Sequence, residues 1–133
     1  MRGIIAVNRL GYIGLNGQLP WKSSEDLKHF KKLTMDGKLL VGFNTYSTLP
    51  PLEGRSITID TRSLSCDDRY PSVNYDEIDW CIGGKTTYEK HCHRFTELHI
   101  SYINDETIGD MRMPDLIDLS EDCKVFHYFF NTD

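Results

Sequence analysis

Asp26 is the residue in this chain whose position most demands a chemical reason. From Ser24 to Thr34 the sequence places Leu27, Phe30 and Leu33 at helical spacing. At 100° per residue they form one apolar stripe. Asp26 projects inside that stripe, between Leu33 and Phe30, while Glu25, Lys28 and Lys32 fall on the opposite side. A buried carboxylate is costly unless something compensates it. Either it serves a ligand, or it is a first-turn Asp that favours the helix dipole or closes a capping box with Ser23. The pattern alone leaves both open.

Two glycine turns offer a second kind of chemistry. Gly42-Phe43-Asn44-Thr45 and Gly83-Gly84-Lys85-Thr86 each follow a strand pattern and open a helix pattern. Glycine lets backbone N–H groups approach a phosphate, and a helix start favours an anion. Two such turns at one sheet edge would hold a dinucleotide, although neither is GxGxxG and each alone is also an ordinary strand-to-helix turn. Arg55 follows Pro50-Pro51-Leu52-Glu53-Gly54 and precedes a strand. Its planar fork suits a carboxylate at a pocket rim, as it equally suits plain solvent. His91-Cys92-His93 has no second ligand group at matching spacing, so it reads as a polar helix end and no metal is expected. Cys66, Cys81, Cys92 and Cys123 contain no CxxC pair, which fits a reducing, cytoplasmic setting.

The elements that must position these residues follow from pattern. Ile4-Ile5-Ala6-Val7, Lys38 to Val41, Ser56 to Asp60 and Trp80-Cys81-Ile82 read as strands. Gly11 to Pro20 is a Gly- and Asn-rich loop, and a Ser23- or Ser24-capped helix runs to about Thr34. A short helix lies near Thr45, another spans Thr86 to His91, and Glu97 to Ile103 and Lys124 to Phe130 are late strands. Alternation of strand and helix predicts an α/β fold with a mixed, mostly parallel sheet flanked by helices. The last two strands lack a helix between them, which predicts a shortened antiparallel C-terminal end. The length of 133 residues fits one domain over 1–133. A net charge of -5 with scattered cations argues against nucleic acid or an anionic membrane as partner. No apolar run reaches membrane-span length, and no signal peptide is evident.

In combination, these segments resemble the dihydrofolate reductase family. The likeness is carried by Ile4-Ile5-Ala6-Val7, Ile13-Gly14, Leu19-Pro20-Trp21, Asp26-Leu27, Phe30-Lys31 and Thr34. It continues through Gly42 with Thr45, Leu52, Gly54-Arg55, Thr61-Arg62, Ile82-Gly83-Gly84, Tyr88-Glu89, Ser101 and Gly109-Asp110 with Pro114. The resemblance implies reduction of 7,8-dihydrofolate to tetrahydrofolate by hydride transfer from NADPH, and a site open to antifolate-type small molecules. It assigns the catalytic positions to Asp26, Trp21 and Ser101, with Asp26 holding the pterin N3–H and 2-amino group and Ser101 hydrogen-bonded to Asp26. Ile4, Ile5, Leu27, Phe30 and Leu49 would enclose the pterin and benzoyl rings, and Arg55 would clamp the α-carboxylate of the glutamate tail. Ala6, Ile13, Gly14, Asn44, Thr45, Thr61, Arg62, Gly83, Gly84, Lys85 and Thr86 would line the cofactor site. The family's cis peptide would fall between Gly83 and Gly84.

The chain departs from that pattern in two places. Phe43 and Asn44 stand where the family usually has cations and Thr86 where many members have Arg, leaving Arg62 and Lys85 as candidate cations for the cofactor. Residues 63–79 have little room for the usual helix, and the stretch after Pro114 is short for a closing hairpin. An apolar face of Phe126, Tyr128, Phe129 and Phe130 leaves monomer and homodimer both open. The competing class is a non-catalytic structural protein that keeps the fold. Retention of Asp26, Trp21, Arg55 and the glycine pair together argues against it. A reductase of another pterin or a pyrimidine is a third reading, and Arg55 favours a glutamate-tailed substrate instead.

Overall fold

The computed structural model describes residues 1–60 and 73–133. Among them, six strands form one sheet: β1 (Arg2–Asn8), β3 (Lys38–Gly42), β4 (Ser56–Asp60), β5 (Trp80–Cys81), β6 (Glu97–Asn104) and β8 (Lys124–Asn131). Their order is β4-β3-β5-β1-β6-β8. β2 (Tyr12–Gly14) and β7 (Met111–Arg112) form a separate antiparallel pair. The helices are α1 (Ser24–Thr34), α2 (Phe43–Tyr46) and α3 (Lys85–His91), and Tyr75–Glu77 and Cys92–Arg94 are 3-10 turns.

The central strands are apolar on both faces, as parallel strands covered by helices must be. Leu39, Leu40 and Val41 of β3 are wholly buried. Each contributes roughly 1.5–3 kcal/mol of burial. Alternation along β1 divides the core. Ile4 joins Leu39 and Trp80 beneath Phe30 and Leu33 of α1. Ile5 and Val7 join Tyr88, Cys92, Phe95 and Leu98 on the α3 face. β5 is short, but its pairing with β3 continues as Ile82 N–H donates to Leu40 C=O at 2.9 Å and Gly42 N–H to Gly83 C=O at 2.7 Å.

The mostly parallel α/β sheet matches the expectation, and its C-terminal end does not. β8 pairs with β6 in parallel register, Ser101 opposite Tyr128. Every pairing within the six-stranded sheet is parallel. The reason lies in residues 105–123, which exceed the dozen or so residues a parallel crossover needs and carry the chain back to the starting edge without a helix. The loop read over Gly11 to Pro20 also contains β2, which pairs with β7. Only part of the aromatic run on β8 is bare: Phe129 is 78% exposed, whereas the rings of Tyr128 and Phe130 pack against His29 of α1.

Candidate active site

α1 begins at Ser23, whose hydroxyl accepts the Asp26 N–H at 3.3 Å. The capping interaction expected of this turn is therefore made by the serine, and the Asp26 side chain is free for other work. It turns inward and is buried at 6% exposure. The hydroxyl of Ser101 on β6, itself buried, acts on this carboxylate as a hydrogen-bonding neighbour. Burial pushes the Asp26 carboxyl above the ordinary 3.8, and the Ser101 bond only partly offsets this. Ser101 lies opposite Ala6 on β1. Ile4, Ala6 and Ser101 thus share the α1 face of the sheet.

A cavity of ≈ 250 Å³ opens beside this carboxylate, walled by Leu19, Trp21, Lys22, Ser23, Asp26, Leu27 and Asp133. Trp21 is buried, and its indole N–H has no partner among the described residues. A buried donor left unpaired carries a penalty that a ligand or water removes. Leu27, expected on a buried stripe, is 56% exposed, because its part of the stripe faces the cavity rather than a neighbouring element.

Arg55 occupies the other end of α1. Its Nε donates to Glu53 C=O at 3.1 Å and its Nη1 to Thr34 Oγ1 at 3.3 Å. The guanidinium carbon lies 5.9 Å from the Phe30 ring centre. Asp26 and Thr34 are eight positions apart, about 12 Å along the helix axis. One helix thus presents a carboxylate at its start and a half-buried guanidinium at its end, with Leu27 and Phe30 between. Leu49 lines a second depression of ≈ 430 Å³ with Tyr46, Ser47, Pro50, Pro51, Leu52 and Ile57. Ile5 does not join this group, since its side chain packs in the α3-face core.

The two glycine turns meet at the ends of β3 and β5. A Cβ at Gly84 would lie 2.7 Å from Thr45 Oγ1, and one at Gly42 would lie 2.6 Å from Thr87 Oγ1. Gly83 adopts φ +103 and the Gly83–Gly84 peptide is cis. Tyr88 of α3 donates to Ile4 C=O at 2.6 Å, which ties this turn to β1. Asn44 and Thr86 are exposed and Lys85 half-buried at the same edge. Ile13 and Gly14 lie on β2, with Asp110 N–H donating to Gly14 C=O at 3.0 Å. Thr61 and Arg62 lie outside the described residues.

This constellation has counterparts in known proteins. A family model described as dihydrofolate reductase matches residues 1–127. The chain belongs to the dihydrofolate reductase family. It is 32% identical to dihydrofolate reductase type 9 of Escherichia coli, over 83% of this chain and 73% of the relative. It is 30% identical to the dihydrofolate reductase of Mycoplasma genitalium, over 89% of this chain and 84% of that one. A solved structure titled as dihydrofolate reductase from Enterococcus faecalis complexed with NADP(H) and RAB-propyl superposes with a TM-score of 0.72 at 23% identity. The match covers 86% of this chain and 76% of that one, which shows a shared fold. Among the described residues no helix is long and apolar enough to cross a membrane, and no group of three potential metal ligands occurs.

Sequence reasoning missed Lys22 and Asp133 in the cavity wall. Lys22 adjoins Trp21 and was within reach of the motif. Asp133 reaches the cavity only through the parallel path of β8, for which the sequence holds no local signal.

Proposed function

We propose that the protein reduces 7,8-dihydrofolate to tetrahydrofolate with NADPH as hydride donor. The carrying observation is the Asp26 carboxylate: buried, raised in pKa, neighboured by the Ser101 hydroxyl, and set in one cavity wall with Trp21. A carboxylate so placed accepts from the N3–H and 2-amino group of a pterin, which supply the donors that Ser101 leaves unmatched. Its negative charge favours protonation of the ring that must gain a proton at N5, and that proton comes from water. Leu27 and Phe30 pack along the ring system, and Arg55 takes the tail carboxylate at the far end of α1. A purely structural protein has no need to hold such a carboxylate in its interior, which argues against the non-catalytic alternative.

The glycine turns fit the cofactor, because they meet at one sheet edge through Thr45 and glycine leaves backbone N–H groups that a phosphate can approach. Ala6, Gly14, Asn44, Thr45, Gly83, Gly84, Lys85 and Thr86 would hold it, with Thr61 and Arg62 at the adenosine end. Bound NADPH supplies the hydride. The chain positions the pterin ring and closes the site to water through the Gly11–Trp21 segment. The test is direct: purified protein mixed with NADPH and dihydrofolate loses the nicotinamide absorbance band, and no loss at any pH between 5 and 8 sinks the proposal. Sedimentation of the same sample separates monomer from homodimer.

A further inference from the structure

Asp133 shares the cavity wall with Asp26. The parallel path of β8 delivers its end to the first turn of α1, where four hydrogen bonds fasten it. Ser23 Oγ donates to Asn131 C=O at 2.7 Å. Asp133 N–H donates to Lys22 C=O at 2.9 Å. Ser24 N–H donates to one Asp133 carboxylate oxygen and Ser24 Oγ to the other, both at 2.8 Å. The Ser24 N–H is among the first-turn donors that have no partner inside the helix, so the carboxylate satisfies a group the helix cannot. Ser23 is buried at 2% exposure, and the same Oγ that reaches Asn131 accepts the Asp26 N–H. The residues before and after Ser23 are therefore both held by Asp133, while Ser23 itself joins β8 to Asp26.

Among the described residues, Ser101 is the one hydrogen-bonding neighbour that acts on the Asp26 carboxyl. That single neighbour leaves the direction of the carboxylate to the placement of the helix turn that carries it. Resting on the reductase reading, we infer that Asp133 is a positioning residue: it clamps Lys22 and Ser24 so that Asp26 faces Ser101 and the pterin. Its contacts touch neither the glycine turns nor Arg55, so the clamp acts on one end of one ligand. Misplacement of a reacting group by about 1 Å can cost on the order of 100-fold, and loss of a surface clamp should move the turn by less than that.

The experiment compares Asp133→Ala, Asp133→Asn and Ser24→Ala with wild type in dihydrofolate KM, NADPH KM, melting temperature and the pH profile of kcat/KM. Asp133→Ala should raise the dihydrofolate KM by roughly 5- to 20-fold and leave the NADPH KM within about two-fold. The alkaline limb of its profile, where N5 of the substrate loses its proton, should move to lower pH, because a misplaced Asp26 charge favours that proton less. Asp133→Asn keeps an oxygen for the Ser24 N–H and an amide that donates to Ser24 Oγ, and should restore both readouts toward wild type. Ser24→Ala removes one of the two carboxylate contacts and should show the same change in smaller measure, which serves if Asp133→Ala fails to fold. Unchanged dihydrofolate KM and alkaline limb in Asp133→Ala overturn the inference. So does a parallel rise of both KM values with a fall in melting temperature, which marks general loosening, and so does an Asp133→Asn variant as impaired as Asp133→Ala. A wild-type protein that does not oxidise NADPH with dihydrofolate overturns the reductase reading instead, and is seen before any variant is made.

Discussion

Replacing Asp26 with Asn should cost activity and add stability, and the two effects come from the same burial. In the pterin complex the carboxylate accepts two charge-assisted bonds, each contributing about 1.5–3 kcal/mol. Asn keeps one acceptor and turns an N–H donor toward a ligand donor. The loss is roughly 2–4 kcal/mol, or about 30- to 1000-fold in kcat/KM at neutral pH. The stability sign runs the other way. The folded-state Asp26 titrates above its ordinary 3.8, so between 3.8 and the raised value the native protein binds more protons than the unfolded chain. Stability therefore falls as pH rises through that window and stays lower above it. Asn cannot ionise and escapes this loss, so the variant should melt higher than wild type at pH 8 and by a smaller margin, or none, at pH 4. Loss of the favourable dipole contact in the first turn works against the gain by about 0.3–1 kcal/mol. Steady-state kinetics and thermal melts at the two pH values measure both effects. An Asp26→Asn protein that keeps full activity, or that melts lower than wild type at pH 8, refutes the reasoning.

Arg55→Leu should weaken dihydrofolate binding by about 1.5–3 kcal/mol, or 10- to 100-fold, and leave a pterin without the glutamate tail unaffected. Equal losses for the two ligands in a binding titration would show that Arg55 acts through its contact with Thr34 instead. Arg62→Ala should raise the NADPH KM on the order of 10- to 100-fold with little change for NADH, since Phe43 and Asn44 offer no cation to the cofactor's extra phosphate. A variant that discriminates as wild type does assigns that phosphate to Lys85. The Asp60 cluster should govern acid stability. Burial would raise Asp60, but hydrogen bonds from His91 and Tyr75 together with nearby Lys90 hold it below 3.8. Burial holds His91 below 6.5. For both groups the unfolded chain binds more protons, so the melting temperature should hold above pH 6.5 and decline as pH falls below it. Asp60→Ala should cost about 2–4 kcal/mol at pH 7, since it strands the buried His91 and the Tyr75 hydroxyl. A denaturant-midpoint change worth under 1 kcal/mol would count against this role.

What was legible in the sequence had local causes. β1 and β3 announce themselves because strands buried on both faces are continuous apolar runs, β4 because Ile57 and Ile59 alternate with Thr58, and α1 because Ser23 caps a helix with Phe30 and Leu33 on one face. Asp26 stood out as the exception to that face, yet the sequence could not choose between cap and ligand. The structure separates them, because Ser23 makes the capping bond and the carboxylate goes to Ser101. The direction of β8 was read wrongly because nothing periodic in residues 105–123 says which edge they return to. Leu49 lines a depression with Tyr46, Pro50, Pro51, Leu52 and Ile57, which no local pattern in the sequence foretells. β2 and β7 are too short to carry a period. Asp133 could not be found at all, as its partners lie more than a hundred positions away in the chain.

The two buried carboxylates show why the same residue type takes different roles. Asp60 accepts from Tyr75 at 2.9 Å, faces His91 at 2.8 Å, and has Lys90 at 3.3 Å. Its charge is compensated inside the protein, its pKa is lowered, and nothing remains for a ligand to add. Among the described residues Asp26 has Ser101 alone as a hydrogen-bonding neighbour, and its pKa is raised. Folding could have buried a neutral residue there at less cost, so the under-compensated charge is a departure from the local consistency that folding favours. Asp26 lines a cavity that Trp21 and Leu27 also wall, and a ligand with adjacent N–H donors supplies the partners the carboxylate lacks. The stability the empty site forgoes thus reappears as affinity for one kind of ring. A pterin-site ligand should therefore lower the pKa of Asp26 and leave that of Asp60 where it is. Carbon-detected titration of the two carboxyls with and without ligand reads both in one sample, and a shift at Asp60 with none at Asp26 would place the site at the wrong carboxylate.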